Sequence, residues 1–557
     1  MKKPVVDLLK KVLKEKNIEL KEEEIENLIE TPPSVEMGDY AFPCYFLSRE
    51  LKQSPNKIAL ELRSKIGTPP SDFQDIQTAG PYINFFLDRK KFAALLLKEV
   101  LSKKNNFGKK DIGKGKKAVV EHTSINPNAP PHVGRVRNAI IGDSIVQMLK
   151  FFNYKPEVHY YVNDVSKQIA MLVLAGAEKM SFDGMLKKYI EICRKVSKSK
   201  KLEKQVFEIL EKFENKDKDI TKKFKKITKT CVEGQKKILL EMGINYDFFD
   251  YESSFLNEGK DLLSNLKKSG KLQTDSDGRI VLDLKDTAVE KQMKVPVLVL
   301  TRSNRTGLYP LRDISYTLYK MKISNNNIIV LGEDQKLYFQ QIKEALKLIG
   351  APPPEVVHYS YILISEKGKS RKMSTRKGEV VMLKDFLKSA VKKAEKEISK
   401  RKTKGDPKKV GVSAVKYAIL KNGNNKIINF NLDEALNFEG DTGPYLLYSY
   451  ARASSIIRKA KNKDKNIKIK KLDEKEYELV KKISRFPTVI YSAYKTLNPS
   501  LIANYSFQLA QIFNEFYHSC PVINSEQEKF RILLVEAFRI VLKNSLNFLG
   551  IETLDEM

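Results

Sequence analysis

The sequence has no tryptophan and only four cysteines among its 557 residues. The cysteines lie far apart and form no Cys-x-x-Cys pair, which excludes a disulfide scaffold and argues against a zinc site. Long apolar runs are also missing, since the stretch Val295–Leu300 is interrupted by Pro296 and is far shorter than the ~20 residues of a membrane-spanning helix. The N-terminal segment has the pattern of an amphipathic, lysine-bearing helix and not of a signal peptide. We therefore expect a cytoplasmic protein with no membrane partner.

Positive charge is what the chain has in excess. It carries 101 Lys and Arg against 69 Asp and Glu, a formal net charge of +32. A charge of this size indicates a polyanionic partner such as nucleic acid, although a lysine-rich genomic composition explains it equally well on charge alone. The hydrophobic share of 41% is typical of a globular chain, and the length predicts three or four domains.

The order of sequence patterns predicts three domains. Residues 1–110 have the helices and strand of a small α/β domain. Residues 111–410 alternate strand, loop, helix and strand, which predicts βαβ units and a parallel sheet, interrupted by a lysine-rich helical insert at about 181–269. In residues 411–557 the strand signals fade and the amphipathic pattern predicts an all-α helical bundle.

A first chemical motif joins a predicted strand to a predicted long helix. The Pro- and Asn-rich loop 123–131 leads into His132, Gly134 and Arg135 at the helix start. A helix N-terminus presents free N–H groups and a partial positive charge, so it attracts phosphate. Gly134 would let a base or phosphate approach the backbone closely, and His132 would donate a hydrogen bond to a phosphoryl oxygen. Taken alone, a His-x-Gly pair more often contains a structural histidine.

A second motif, Arg-Lys-Met-Ser-Thr-Arg-Lys-Gly at residues 371–378, also follows a predicted strand. Four cations with a serine and a glycine would form a phosphate clamp. A solvated basic loop is the commoner explanation of a single basic run. Both motifs in this order, each after a predicted strand, favour a nucleotide site.

Together the two motifs resemble the His-Ile-Gly-His and Lys-Met-Ser-Lys-Ser signatures of class I aminoacyl-tRNA synthetases. Further stretches resemble the arginyl-tRNA synthetase family, and they run nearly from end to end: 38–41, 80–85, 121–143, 309–313, 332–340, 372–378, 438–445 and 549–557. Two positions depart from the signatures. Arg135 stands at the second histidine and keeps a cation there, and Thr375 stands at the last lysine, whose charge Arg376 or Lys377 would supply.

The resemblance implies both a fold and a reaction. The fold is α/β: a Rossmann-like parallel-sheet catalytic domain with a small N-terminal α/β domain and a C-terminal all-α helical bundle. The reaction is ATP-dependent ligation of L-arginine to tRNA(Arg) through an arginyl-adenylate, with Mg²⁺ on the phosphates, no zinc and no other bound metal. The implied partners are tRNA(Arg), arginine and ATP, and we expect a monomer.

The resemblance also implies the site residues. Those of the catalytic phosphate clamp are His132, Gly134, Arg135, Lys372, Ser374 and Arg376. ATP would be bound by His132, Gly134, Lys372 and Met373. Arginine would be bound by Glu121, Ser124, Asn126, Tyr309, Asp313 and Gln335. Contacts to tRNA would come from Asn84, Phe85, Tyr450 and Tyr517.

The chemistry of arginine agrees with a pocket that contains carboxylates. A guanidinium group is planar, carries five donors and stays charged, so carboxylates that accept paired bonds suit it. By resemblance, Asp313 and Tyr309 hold this group. Without the family, Asp313 would be interpreted as a helix N-cap, because it lies near a predicted helix start. Phe85 is equally suited to core packing, and for Phe513 packing is the preferred interpretation.

Three other functions stay open at the level of sequence. The first is a synthetase for another amino acid, although cysteine specificity would bring zinc-binding cysteines that this chain lacks. The second is a small-molecule nucleotidylyltransferase, which has no need of a large helical C-terminal domain. The third is a non-catalytic RNA-binding protein that keeps the fold but not the reaction.

Overall fold

The computed structural model describes residues 2–256, 258–304, 306–366, 369–372, 381–402, 404–460 and 467–557. Its strands are β1 (Tyr40–Pro43), β2 (Phe73–Ala79), β3 (Tyr82–Leu87), β4 (Lys117–Glu121), β5 (Lys155–Val162), β6 (Phe248–Tyr251), β7 (Leu272–Thr274), β8 (Ile280–Asp283), β9 (Val297–Val299), β10 (Asn327–Gly332), β11 (Glu355–Tyr359), β12 (Ile362–Glu366), β13 (Lys369–Lys372) and β14 (Ile428–Phe430).

The helices are α1 (Lys3–Lys14), α2 (Glu22–Leu28), α3 (Ser48–Leu51), α4 (Pro55–Ile66), α5 (Arg89–Lys103), α6 (Val133–Phe151), α7 (Lys167–Leu174), α8 (Phe182–Val196), α9 (Lys200–Glu214), α10 (Lys218–Leu240), α11 (Gly259–Lys267), α12 (Tyr309–Ile323), α13 (Lys336–Leu348), α14 (Leu383–Lys400), α15 (Pro407–Leu420), α16 (Leu432–Ala435), α17 (Gly443–Lys459), α18 (Glu474–Ser484), α19 (Phe486–Lys495), α20 (Ser500–Ser519) and α21 (Glu528–Phe548). Within the described residues, none of these helices is long and apolar enough to cross a membrane.

The chain forms two compact units. The first contains residues 1–107, 453–486 and 511–541, and the second contains residues 108–452, 487–510 and 542–557. The C-terminal helices are therefore divided between the two units. The domain limits at 110 and 410 stay predictions.

The first unit contains an antiparallel sheet in the order β1-β3-β2, with α1, α2 and α4 packed into one apolar core. The apolar face of α1 is buried as its sequence pattern predicts, and β3 contributes Ile83, Phe85 and Leu87 to the same core. Asp39 is a buried exception. Its carboxylate accepts hydrogen bonds from the Tyr477 hydroxyl at 2.7 Å and from the Leu87 N–H at 3.0 Å.

The second unit is built on a parallel sheet in the order β11-β10-β4-β5-β6. After β4 the chain continues to β5 and β6 on one side, and it later adds β10 and β11 on the other side. The strand order therefore reverses between β4 and β10, the position at which open α/β sheets bind ligands. The predicted α/β fold with a parallel sheet is confirmed.

Several strands differ from the sequence interpretation. Strand β9, predicted as part of a βαβ unit, pairs antiparallel with β8 in a separate sheet with β7. Strand β6 lies inside the predicted helical insert but pairs with β5, so the long insert helices are α8, α9 and α10. Strand β14 interrupts the predicted all-α region and pairs with β12. These short strands have little periodicity of their own and depend on their partners.

Candidate active site

A cavity of about 390 Å³ opens where the strand order reverses, at the carboxyl ends of the parallel strands. It is lined by the loop after β4, the start of α6 and the end of β10. The lining residues that matter most for chemistry are Asn126, His132, Gly134, Arg135, Gly332 and Asp334. The structure thus brings the first predicted signature together with the glycine that ends β10.

The start of α6 is held in place by buried side chains further along the helix. Arg137 is fully buried, and its guanidinium donates to the carbonyl oxygens of Ser360, Gly423, Asn424 and Lys426 at 2.7–3.1 Å. Asn138 donates to the carbonyl oxygen of Val330 at 2.9 Å and accepts from the N–H of Thr123 at 2.7 Å. One helical turn beyond, a Cβ added to Gly142 would lie 2.3 Å from the ring of His122. These contacts leave the helix little freedom, so its N-terminus keeps a defined position at the cavity.

His132 is the N-cap residue of α6, but its side chain makes no capping bond. Its Nδ1 atom is buried without a hydrogen-bond partner among the described residues. Burial, with a smaller contribution from Arg135, lowers the pKa of His132 to about 4. At neutral pH the ring is therefore uncharged and offers a hydrogen bond, not a positive charge.

The loop after β4 has a strained backbone. Thr123 and Ser124 have φ angles of 80° and 42°, in the left-handed region that non-glycine residues rarely adopt. Such conformations cost about 1–3 kcal/mol each and persist where the surroundings enforce them. The Oγ atom of Ser124 is buried and has no hydrogen-bond partner in the described part of the chain. The backbone of this loop is thus held in a defined conformation, and the hydroxyl of Ser124 has a hydrogen bond still to make.

The second signature begins at the end of β13. The backbone of Lys372 pairs with Leu363 in β12, whose first residue lines the cavity. Met373, Ser374 and Arg376 lie outside the described residues. Where the described chain resumes, the N–H of Val133 donates to the carbonyl oxygen of Val381 at 3.0 Å. The N–H of Leu383 likewise donates to Pro131 at 2.9 Å, so the segment after the second signature is hydrogen-bonded to the first.

A cluster of buried charges lies between α12 and the end of β4. Glu121, the last residue of β4, is 4% exposed and forms an ion pair with the fully buried Lys320. Arg312 forms an ion pair with Glu252 at 2.5 Å, and both side chains are buried. Asp313 differs from these carboxylates, because it is only partly buried and accepts a hydrogen bond at Oδ2 from the hydroxyl of Tyr338 at 2.5 Å.

Asp313 is the fifth residue of α12, so the alternative interpretation as an N-cap is wrong. Burial raises the pKa of Asp313 to about 6, the bond from Tyr338 opposes the shift, and Glu121 adds to it. In the described part of the chain no lysine or arginine forms an ion pair with Asp313. The carboxylate is therefore held in an environment that suits an incoming cation.

The predicted arginine-binding residues come from different elements. Glu121, Ser124 and Asn126 belong to the end of β4 and its loop, whereas Tyr309 and Asp313 belong to the first turns of α12. Tyr309 is 53% exposed, and its ring centroid lies 5.1 Å from that of Tyr338. Gln335 is exposed and precedes α13 at the same edge of the sheet.

The predicted tRNA contacts differ in exposure. Phe85 and Tyr450 are 0% and 3% exposed, so their rings belong to the packed interior and offer no face for base stacking. Asn84 is also buried, whereas Tyr517 is 38% exposed. Tyr517 is thus the best placed of the four, and all four tRNA contacts stay predictions.

Sequence reasoning missed most of the partners in the charge cluster. Lys320, Glu252 and Tyr338 are separated from their partners by 25–199 positions, and no motif marks them. One available signal was the presence of both charged and aromatic residues in α12, because charged side chains are rarely buried without a partner.

Comparison with known proteins identifies the family. Residues 96–433 match the family model "tRNA synthetases class I (R), catalytic domain", residues 4–87 match "Arginyl tRNA synthetase N terminal domain", and residues 446–557 match "DALR anticodon binding domain". A protein from Methanocaldococcus jannaschii named arginine–tRNA ligase is 36% identical over 99% of both chains. The chain belongs to the arginyl-tRNA synthetase family.

Other members of the arginyl-tRNA synthetase family agree with this placement. An arginine–tRNA ligase from Clostridium kluyveri is 34% identical over 97% of this chain and 98% of its own. The structure of Thermus thermophilus arginyl-tRNA synthetase aligns with a TM-score of 0.82 at 23% identity, covering 100% of both chains. That of the Plasmodium falciparum synthetase aligns with a TM-score of 0.77 at 22% identity. At these identities the two structures establish a shared fold.

Proposed function

We infer that this protein catalyses the ATP-dependent ligation of L-arginine to its tRNA. Family membership carries the reaction class. The observation in the structure that carries the choice of amino acid is Asp313, a partly buried carboxylate that accepts a hydrogen bond from an uncharged tyrosine and forms no ion pair with the described residues. A planar, permanently charged guanidinium group would supply the missing cation and donate two parallel hydrogen bonds to the carboxylate.

Arginine would lie between α12 and the loop after β4. We assign the guanidinium group to Asp313 and Tyr309, with Glu121 on its other side. Ser124, Asn126 and Gln335 would hold the amino and carboxylate groups at the edge of the sheet. The unpartnered Oγ atom of Ser124 supports this assignment, because buried polar atoms in native proteins rarely stay unbonded.

In the first step, a carboxylate oxygen of arginine attacks the α-phosphorus of ATP and pyrophosphate leaves. In-line displacement of this kind needs positioning and charge neutralisation more than a nucleophilic side chain. The N-terminus of α6, the neutral ring of His132 and the cation of Arg135 would hold phosphate oxygens. Gly134 would face the adenine. Lys372, Met373, Ser374 and Arg376 would complete the ATP site from the second signature.

Mg²⁺ fits this arrangement as a companion of ATP. Among the described residues that line the cavity, Asp334 is the acidic side chain, and Mg²⁺ is commonly held by one or two carboxylates together with substrate phosphates. When bound, the ion would neutralise charge on the phosphates.

In the second step, the 2′-hydroxyl of the terminal tRNA nucleotide attacks the carbonyl carbon of the adenylate, and AMP leaves. The C-terminal helices would bind the anticodon stem-loop, with Tyr517 as the candidate stacking residue. We further propose that the protein acts as a monomer in the cytoplasm, where tRNA charging supplies translation. Light scattering of the purified chain would test the monomer.

The decisive experiment is amino-acid-dependent pyrophosphate exchange, measured with and without tRNA. Arginine is compared with lysine, which has a different cationic head group, and with citrulline, which has the shape of arginine but no charge. We expect exchange with arginine alone. Exchange with citrulline at a similar KM would contradict the role of Asp313, and no arginine dependence in either condition would overturn the proposed function.

A further inference from the structure

Lys320, the residue that pairs with Glu121, has no part in the two reaction steps. Lys320 is fully buried on α12, seven positions after Asp313 and therefore on a similar side of the helix. Its ammonium group pairs with Glu121 and lies 4.5 Å from the centre of the Tyr316 ring. The Tyr316 hydroxyl in turn donates to Asp250 at 2.8 Å, which orients the ring.

We propose that Lys320 is a positioning residue of the arginine pocket, whose buried ammonium group holds Glu121 in place. This inference rests on the proposed function and deepens it, because it concerns a residue that orients a proposed arginine ligand. Lys320 would act through Glu121 and would not touch the reacting atoms.

The pairing of the charges supports the proposal. Glu121 pairs with Lys320, and Glu252 pairs with Arg312. Asp164 is a further buried carboxylate near Arg312, and it accepts a hydrogen bond from the N–H of Ser253 at 2.8 Å. Without Lys320, Glu121 would be a buried carboxylate without its cation, and buried charges without partners are strongly unfavourable.

Tyrosine hydroxyls and a further carboxylate also surround the cluster. Tyr338 donates to Asp313 from α13, and the ring of Tyr161 on β5 stacks on that of Tyr316 with 4.4 Å between the centroids. Burial raises the pKa of both hydroxyls well above the usual range, so both stay neutral. Asp250, which faces Tyr316, bonds to Nδ1 of His159 at 2.6 Å. Lys320 is thus the cation that faces Glu121 in the described part of the chain.

A double-mutant cycle tests the proposal with Glu121→Gln, Lys320→Met and both together. Glu121→Gln alone leaves the buried ammonium of Lys320 without its carboxylate, where it opposes the arriving guanidinium. Adding Lys320→Met to Glu121→Gln removes that opposing charge. We therefore expect the KM for arginine to be higher in Glu121→Gln than in the double variant, by about tenfold for each ~1.4 kcal/mol of relieved repulsion. Lys322→Met, an exposed lysine on the same helix, is the matched control.

Arginine-dependent pyrophosphate exchange in the presence of tRNA gives the readout, with the KM for ATP measured beside the KM for arginine. Recovery of the arginine KM in the double variant, with the ATP KM unchanged, supports the proposal. A double variant no better than Glu121→Gln overturns it, because a purely structural lysine would add its own damage. Lack of arginine-dependent exchange in the wild type would instead contradict the proposed function itself, so the two failures are distinguishable.

Discussion

Replacing Asp313 with asparagine should separate the stability of the arginine pocket from its function. Asparagine keeps the size of the side chain and a carbonyl oxygen that accepts the hydrogen bond from Tyr338. The substitution removes the negative charge that burial disfavours. We therefore expect Asp313→Asn to stabilise the arginine-free protein at neutral pH and to raise the KM for arginine strongly.

The size of the gain follows from the pKa. Burial raises the pKa of Asp313 from 3.8 to about 6. At about 1.4 kcal/mol per unit, holding the ionised carboxylate in the folded protein costs up to about 3 kcal/mol above about pH 6. Because the folded state binds the proton more tightly than the unfolded chain, this carboxylate costs the wild type less stability as the pH falls through that window. The advantage of asparagine should therefore shrink toward about pH 4.

Urea unfolding of the arginine-free proteins at about pH 7.5 and about pH 5 measures this difference. The variant should be more stable by up to about 3 kcal/mol at the higher pH and by less at the lower pH. Saturating arginine, at about 100 times its Kd, should add about 2.7 kcal/mol to the wild type and little to the variant. A variant that is less stable at both pH values, or that keeps the wild-type KM for arginine, would refute the reasoning.

Four further substitutions test the scaffold of the site and its tRNA surface. Arg137→Met removes the donor to four backbone oxygens. It should raise the KM for ATP and cost about 1–3 kcal/mol in urea unfolding for each carbonyl left buried without a donor, whereas an unchanged ATP KM would contradict the role of this contact in placing α6. Gly142→Ala drives a Cβ into the ring of His122 and should lower the melting temperature by the equivalent of about 1–3 kcal/mol, and a melting curve identical to wild type would count against it. Tyr517→Ala should weaken tRNA binding by about 1–3 kcal/mol without a loss of stability. Phe513→Ala is the contrasting variant, because the Phe513 ring is fully buried and its removal should cost about 3–5 kcal/mol of stability. Equal tRNA affinity in Tyr517→Ala and the wild type would remove Tyr517 from the tRNA surface.

Much of the nucleotide site could be predicted because its signals are local. The strand, Pro-rich loop and helix around His132 follow one another within about thirty residues, and they appear in the structure as β4, the cavity loop and α6. The apolar face of α1 and the long helices of the C-terminal region were predictable for the same reason. Short strands such as β6 and β14 were missed, because three or four residues carry too little pattern to identify a strand without its partner.

Exposure was a second property that the sequence did not reveal. Phe85 and Tyr450 are aromatic residues in segments that resemble tRNA-binding regions, yet both are packed in the interior. Tyr517 lies on a helix, as Tyr450 does, and is partly exposed. Whether an aromatic ring faces solvent depends on the neighbours that the fold supplies, so the motif alone does not distinguish a stacking ring from a core ring.

By itself, the sequence determined the family, the reaction class and the parallel-sheet architecture, because contiguous signatures and local periodicity carry that information. The tertiary structure alone decided how charge is distributed in the arginine pocket. Lys320 and Glu121 are 199 positions apart, and Arg312 and Glu252 are 60 apart, so only the folded chain shows which carboxylate is paired. Among the described residues it leaves Asp313 without an ion-pair partner and hydrogen-bonded to Tyr338, because each buried ion pair depends on which charges the fold brings into contact.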